Sequence, residues 1–343
     1  MEGIDEVRVS EWLAGNIPGA TAPFRFQLIA GGRSNLTFSV DDAAGRRFVL
    51  RRPPVSHVLP TAHDMGREFR IISALGPTPV PVAPALGYCD DESVNERPFY
   101  VMGYVDGHII RDRHQAETFL DEAGRRRASE HLVDVLADIH AVDVDAVGLA
   151  DLGRREGYIE RQLKRWYGQF RQSIEGRDRS VPDVDEVHDL LSRRIPDQGR
   201  ASIVHGDYRL DNTMLGDDGS VLAVLDWEIC TLGDPLADIG LLMVYWADAG
   251  ETTSTLGTVA PTTLPGFLTR AQLAERYARR SGRDVSDLAF YVAFGYWKLA
   301  CILEGVYARY EGGAMAGDRS GFEGFAEQVR TLAGAARQAV AEL

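Results

Sequence analysis

The sequence predicts an α+β protein in two parts: a small lobe built on an antiparallel sheet (residues 1–105) and a larger, mainly helical lobe (residues 106–343). Three observations predict it. The N-terminal stretch alternates apolar and polar side chains between glycine and proline breaks, the pattern of strands. Beyond Val105-Asp106-Gly107, apolar residues recur at three- and four-residue steps, the helical period. The 343 residues, 45% hydrophobic and 26% charged, read as globular and suffice for two cored lobes.

In the N-terminal part, residues 24–29 alternate and stop at Ala30-Gly31-Gly32. Residues 35–40 alternate again, with Leu36, Phe38 and Val40 on one face. Asp41-Asp42-Ala43-Ala44-Gly45 reads as a hairpin loop. A third strand over 47–51 ends at Pro53-Pro54, where no ladder can continue. Met65, Phe69, Ile72 and Leu75 then mark a helix that Gly76-Pro77 ends. Residues 85–88 and 99–104 read as two more strands around an acidic turn. In the C-terminal part, Leu132, Val135, Leu136 and Ile139 form a helical stripe, and residues 158–170 form another. Residues 271–310 read as two helices broken near Ser281-Gly282, and 322–343 as a terminal helix. One island, residues 202–227, has short strands around charged loops.

Composition narrows the function. The 37 Lys and Arg against 51 Asp and Glu leave a net charge of -14, a surface that repels nucleic-acid backbones. The surplus acid would suit a cationic substrate and equally serves solubility. Cys89, Cys230 and Cys301 form no CxxC pair, so neither a zinc knuckle nor a disulfide framework is expected. The N-terminus has no secretory apolar region, and no run approaches the ~18 apolar residues of a membrane span. A cytoplasmic protein with no nucleic-acid or membrane partner is the expectation.

Chemistry concentrates in Val204-His205-Gly206-Asp207-Tyr208-Arg209-Leu210-Asp211-Asn212, a polar loop entered from apolar residues. Asp217-Asp218-Gly219 turns the chain into an apolar strand that ends at Asp226. Phosphoryl transfer needs a carboxylate on the attacking hydroxyl, plus an amide and a second carboxylate to hold Mg²⁺ on the phosphates. In protein kinases these lie on H-R-D-L-x-x-x-N and on an Asp beyond the next hairpin. Here His205 precedes Asp207 by two residues, Asn212 follows it by five, and Asp226 lies fourteen beyond Asn212.

The segment HGDYRLDN, followed by LDWE and GDPLADIG, resembles the aminoglycoside phosphotransferase and choline kinase-like family. Within it, the sequence is similar to the branch related to the kinase-like domain of acyl-CoA dehydrogenase proteins. The resemblance spans residues 25–310 and implies a bilobal protein-kinase-like fold. It implies Asp207 as catalytic base and Asn212 and Asp226 as Mg²⁺ ligands, both hard oxygen donors. His205, beside the base, is read as an organiser of the loop rather than a proton shuttle. Arg209 can face the transferred phosphate or pair with Asp211. Asp238 is expected to support the catalytic loop, and Asp234 to cap the helix that starts at Pro235.

The N-terminal lobe should hold ATP. Gly31 and Gly32 would let backbone N–H groups approach phosphate, with Ser34 and Asn35 adding hydrogen bonds. The family carries a lysine on the third strand, paired with a helix Glu. This sequence has Arg51 and Arg52 there, with Glu68 as the matching partner, and arginine does not simply replace lysine. Met102 and Tyr104 would line the adenine site at the hinge. Trp227, Glu228, Tyr245, Trp246, Tyr296, Trp297 and Glu304 lie where the family builds its acceptor pocket, and aromatics at helical spacing serve equally as core. The reading is an ATP- and Mg²⁺-dependent phosphotransferase acting on a hydroxyl of a small molecule. The alternatives are a kinase-like nucleotide-binding protein with little or no transferase activity, and a phosphate-ester hydrolase using the same carboxylates.

Overall fold

In the computed structural model, residues 3–30, 35–55, 64–251, 259–312 and 324–343 are described. They form two compact units. The first comprises residues up to Gly107 together with Val147–Leu149 and Leu222–Glu228. The second comprises His108–Ala146, Ala150–Val221 and Ile229–Leu343.

The first unit begins with a helix that the strand pattern does not reveal, α1 (Glu6–Asn16). Asp5 caps it by accepting the Arg8 N–H at 3.1 Å, and Val9 and Leu13, one turn apart, are fully buried. The local alternation of Val7, Arg8, Val9 and Ser10 hides that four-residue step. Then follow β1 (Arg25–Ala30), β2 (Leu36–Asp41), β3 (Arg47–Arg52), α2 (Met65–Leu75), β4 (Ala85–Cys89) and β5 (Phe99–Gly103). The strands make one antiparallel sheet in the order β1-β2-β3-β5-β4. Its register pairs Phe38 with Leu50 and Leu50 with Val101, and these side chains share a core with Val9, Leu13 and Phe99.

Successive strand residues face opposite sides of a sheet, which separates Arg51 from Arg52. Arg52 follows Leu50 to the α1 side, where its guanidinium donates to the carbonyls of Gly3 and Pro53. Arg51 faces the other way and meets Glu68 of α2.

The second unit contains α3 (Arg113–Phe119), α4 (Glu122–Ala141), α5 (Tyr158–Ile174) and α6 (Pro182–Arg193). Short strands follow: β6 (Ser202–Val204), β7 (Thr213–Leu215), β8 (Val221–Val224) and β9 (Thr231–Gly233). Helices α7 (Leu236–Tyr245), α8 (Arg270–Ser281), α9 (Leu288–Glu311) and α10 (Phe325–Val340) complete it. Gly282, in the left-handed region at φ 67°, stops α8, which a Thr269/Gln272 capping box starts. Helix α7 lies against α9 so closely that a Cβ at Gly240 would stand 2.6 Å from the Tyr291 backbone. Phe170, Phe290, Phe294, Trp297, Leu332 and Ala336 fill the core between α5, α9 and α10.

Helix α9 alone among the described helices is long and apolar enough to cross a membrane, although no uninterrupted apolar run shows it in the sequence. It carries Lys298 and Glu304, both buried, and 61% of its most apolar window is buried inside the protein.

Candidate active site

Strands β6 and β9 pair antiparallel, Val204 opposite Thr231 and Ser202 opposite Gly233. This pairing sets the His205 loop beside the start of α7. Asp238, in the first turn of α7, accepts the backbone N–H of His205 at 2.7 Å and of Gly206 at 2.8 Å. His140 of α4 reaches the same carboxylate at 3.3 Å and meets the Tyr277 hydroxyl at 2.7 Å through its other nitrogen. Burial would raise the Asp238 carboxyl, but His140, His205 and the Gly206 amide outweigh it and hold the carboxyl below its ordinary range. Burial keeps His140 below the ordinary histidine range.

The loop is held elsewhere too. Gly206 has φ 85°, which a side chain would strain, and its added Cβ would meet Ile229 at 3.0 Å. His205, fully buried, accepts the Asp207 N–H on Nδ1 at 3.3 Å. The buried Tyr208 hydroxyl donates to the Leu132 carbonyl of α4 at 2.8 Å. Asn212 Nδ2 donates to both the carbonyl and the carboxylate Oδ2 of Asp207, each at 2.8 Å. Arg209 takes both of its possible acidic partners: Nη1 lies 3.1 Å from Asp211 and Nε 3.4 Å from Asp207. Its guanidinium stacks 4.8 Å over the Tyr245 ring. Burial opposes the Arg209 charge, yet Asp207, Tyr245 and Asp211 raise it above the ordinary arginine range.

In the first unit, Arg51 joins two carboxylates. Its Nη2 lies 2.6 Å from Asp226 Oδ1 and its Nε 3.4 Å from Glu68 Oε2. Glu68 is 2% exposed and also accepts from Asn35 Nδ2 at 2.9 Å and from the Tyr100 hydroxyl at 3.0 Å. Asn35 therefore bonds the helix carboxylate on α2, where the sequence suggests a phosphate contact. Burial raises the Glu68 carboxyl, with Arg51 pulling the other way. For Arg51, burial is outweighed by Glu68, Tyr100 and Asp226, which keep the guanidinium charged. Asp226 has φ 61°, the one non-glycine residue in the left-handed region among those described. Such strain persists only where surroundings enforce it and concentrates at functional sites.

The remaining candidates separate. Gly31, Gly32 and Ser34 lie outside the described residues. Met102 pairs with Val49 and Ala85 inside the sheet, and Tyr104 follows the strand end under the Arg47 guanidinium at 4.8 Å. Asp234, one residue before the Pro235 N-cap of α7, accepts the Leu236 N–H at 3.1 Å and the Tyr291 hydroxyl at 2.6 Å. Trp246 and Trp297 are core residues whose indole N–H groups are taken by the carbonyls of Leu268 and Val184. Glu304 is fully buried in a two-pronged bond with Arg179, 2.6 Å on each side. These three belong to packing, not to an acceptor pocket. Sequence reasoning misses His140, Tyr208 and Lys298, whose only signal is a polar group inside an apolar helical or loop pattern.

Among the described residues no group of three or more His, Cys, Asp or Glu side chains could hold a metal. Mg²⁺ keeps several waters and takes only one or two protein carboxylates beside phosphate oxygens, so a sparse donor set suits it. Asn212 spends its amide nitrogen on Asp207, which leaves Oδ1 as its donor atom. Asp226 gives Oδ1 to Arg51 and retains Oδ2. Each is a hard oxygen donor of the kind the ion takes.

The model of the phosphotransferase enzyme family known as APH matches residues 25–291. The chain belongs to this family. This phosphotransferase is 35% identical over 293 residues to mouse acyl-CoA dehydrogenase family member 10, covering 84% of this chain and 27% of that protein. It is 34% identical over 318 residues to chicken acyl-CoA dehydrogenase family member 11, covering 89% of this chain and 39% of that one. The chain thus spans between a quarter and two fifths of the length of those relatives. A solved structure of a protein from Ralstonia eutropha superposes with a TM-score of 0.84 at 32% identity, over 98% of both chains. The aminoglycoside phosphotransferase APH(4)-Ia, solved with AMP-PNP and hygromycin B, shares the fold at a TM-score of 0.64 and 15% identity, over 99% of both chains. The phosphotransferase has the expected α+β, protein-kinase-like fold, with an antiparallel sheet in its N-terminal region and a helical C-terminal region.

Proposed function

We propose that this phosphotransferase moves the γ-phosphoryl group of ATP to a hydroxyl of a small molecule, with Asp207 as the base. The observation that carries the reading is the Asp207–Asn212 pair. A carboxylate and an amide five residues apart are fixed on each other at 2.8 Å, in a loop clamped by Asp238. Phosphoryl transfer asks little covalent chemistry of the protein, so positioning and electrostatics supply most of the rate. Asp207 Oδ2 would accept the hydroxyl proton as the oxygen attacks phosphorus. Arg209, beside that carboxylate, would offset charge on the transferred group. Arg51, fixed by Glu68, would meet the nucleotide phosphates, and Met102 and Tyr104 its base. Asn212 and Asp226 would hold Mg²⁺, which when bound neutralises charge on the β- and γ-phosphates.

The relatives' names favour a hydroxylated acyl compound or a comparable metabolic alcohol over an antibiotic as acceptor. The three cysteines, free and buried, suit a reducing, cytoplasmic setting. ADP release from Mg·ATP across a library of hydroxyl acceptors tests the activity. Full turnover by Asp207→Asn would refute the base.

One observation favours a second reading, a nucleotide binder with little transferase activity. Arg51 stands where the family has lysine and already engages Asp226 at 2.6 Å. Mg·ATP that raises the melting temperature, with no acceptor-dependent ADP release, would decide for it.

A further inference from the structure

Lys298 sits midway along α9, between Trp297 and Cys301, and is 6% exposed. Removing an ammonium from water costs several kcal/mol unless its surroundings repay it. Among the described residues no carboxylate lies within 4.0 Å of it. Its Nζ instead donates to the carbonyl oxygen of Gly206 at 2.9 Å. That carbonyl belongs to the peptide that enters Asp207.

The same glycine is held from its other side, because its N–H donates to Asp238 Oδ1 at 2.8 Å. Gly206 has φ 85°, and a Cβ placed on it would meet Ile229 at 3.0 Å, so the position is closed to other residues. Asp238 and Lys298 together fix both polar groups of this residue. Burial lowers the Lys298 ammonium below the ordinary lysine range, while Asp207 of the loop and Asp238 of α7 favour it and Arg165 of α5 opposes it. The Trp166 ring lies 6.0 Å from Nζ.

We infer that Lys298 is a positioning residue: its Nζ holds the Gly206 carbonyl, and with it the peptide plane from which the Asp207 carboxylate projects. The inference rests on the reading of Asp207 as base, and its test separates the two. Lys298→Met keeps the length and the apolar packing of the stem but removes donor and charge. A misplacement of ~1 Å at a reacting group can cost ~10²-fold, so kcat should fall about 10- to 100-fold while KM for ATP stays within about threefold. Hydrogen exchange followed by mass spectrometry should show faster exchange over residues 205–212, with α5 and α10 unchanged. A kcat within about twofold of wild type, or an unchanged loop, overturns the inference. So does equal loosening of α5 and α10, which would make Lys298 a packing residue. Should Lys298→Met fail to fold, Lys298→Gln takes the same measurements. Asp207→Asn runs in parallel. Retained turnover there removes the base assignment, while the exchange data still report the grip of Lys298 on the loop.

Discussion

Arg51 donates through Nη2 to Asp226 at 2.6 Å and, through the same guanidinium, faces Glu68 at 3.4 Å. The planar fork spans the two carboxylates with donors in fixed directions, which a freely rotating ammonium does not offer. Arg51 is 12% exposed and Glu68 2%, so the pair sits in a medium where an unmatched charge is costly.

Arg51→Met should therefore destabilise the fold by about 3 kcal/mol near neutral pH, because Glu68 is left buried without its cation. Burial already raises the Glu68 carboxyl, and loss of Arg51 raises it further. The deficit is full at pH values where Glu68 is ionised and shrinks as acid protonates it. Urea unfolding of both proteins across pH 4–8 measures the gap. An equal gap throughout would show that Glu68 charge is not its origin.

Arg51→Lys should free Asp226 more than it weakens the fold. A lysine held by Glu68 leaves Asp226 Oδ1 open to a divalent ion, and lowers the local positive charge spread toward it. Mn²⁺ binding, read by electron paramagnetic resonance without nucleotide, should tighten severalfold. Weaker binding would mean that Arg51 orients Asp226 for the ion and does not compete with it.

Much of this chemistry is legible in the amino-acid sequence. The spacing of His205, Asp207, Asn212 and Asp226 follows from the reaction, since each role needs its own side chain at a fixed place in the loop and hairpin. Strand alternation sends Arg51 and Arg52 to opposite faces, but only the register of β3 decides which of them meets Glu68. Contacts between distant segments are not legible. Nothing local says that His140 meets Asp238, 98 residues away, or that Lys298 meets Gly206, 92 away. Both are polar residues on apolar helices, a pattern that also fits a satisfied core group. Trp246, Trp297 and Glu304 show the converse. Aromatics and a carboxylate at helical spacing suggest a pocket, and packing consumes them.

Asp238→Asn should loosen the loop that carries Asp207. An amide oxygen can accept from one of the His205 and Gly206 N–H groups and leaves the other buried and unmatched, a cost of about 1–3 kcal/mol. Because the native carboxyl is held below its ordinary range, its stabilisation is present above the unfolded value near 3.8 and is lost as pH falls through the native one. The stability gap between the two proteins should be widest at neutral pH and close in acid. Kinetically, kcat should fall by about tenfold or more with smaller changes in KM for ATP. Unchanged kcat would detach Asp238 from the catalytic loop.

Lys298 gives a stability signature at the basic end of the pH range, whereas that of Asp238 lies in acid. Burial lowers its ammonium below the ordinary lysine range despite Asp207 and Asp238. Between the native and unfolded values the unfolded chain binds the extra proton, so stability rises with pH across that window. Below it, the full cost of burying the charge is present. Lys298→Met removes this cost, so it should melt at a higher temperature than wild type at pH 7, and the difference should narrow steadily toward pH 10. Subtracting the two melting curves cancels the tyrosines that titrate in the same range. A variant that melts lower at pH 7, with no narrowing, would show that the bond to Gly206 outweighs the desolvation of the ammonium.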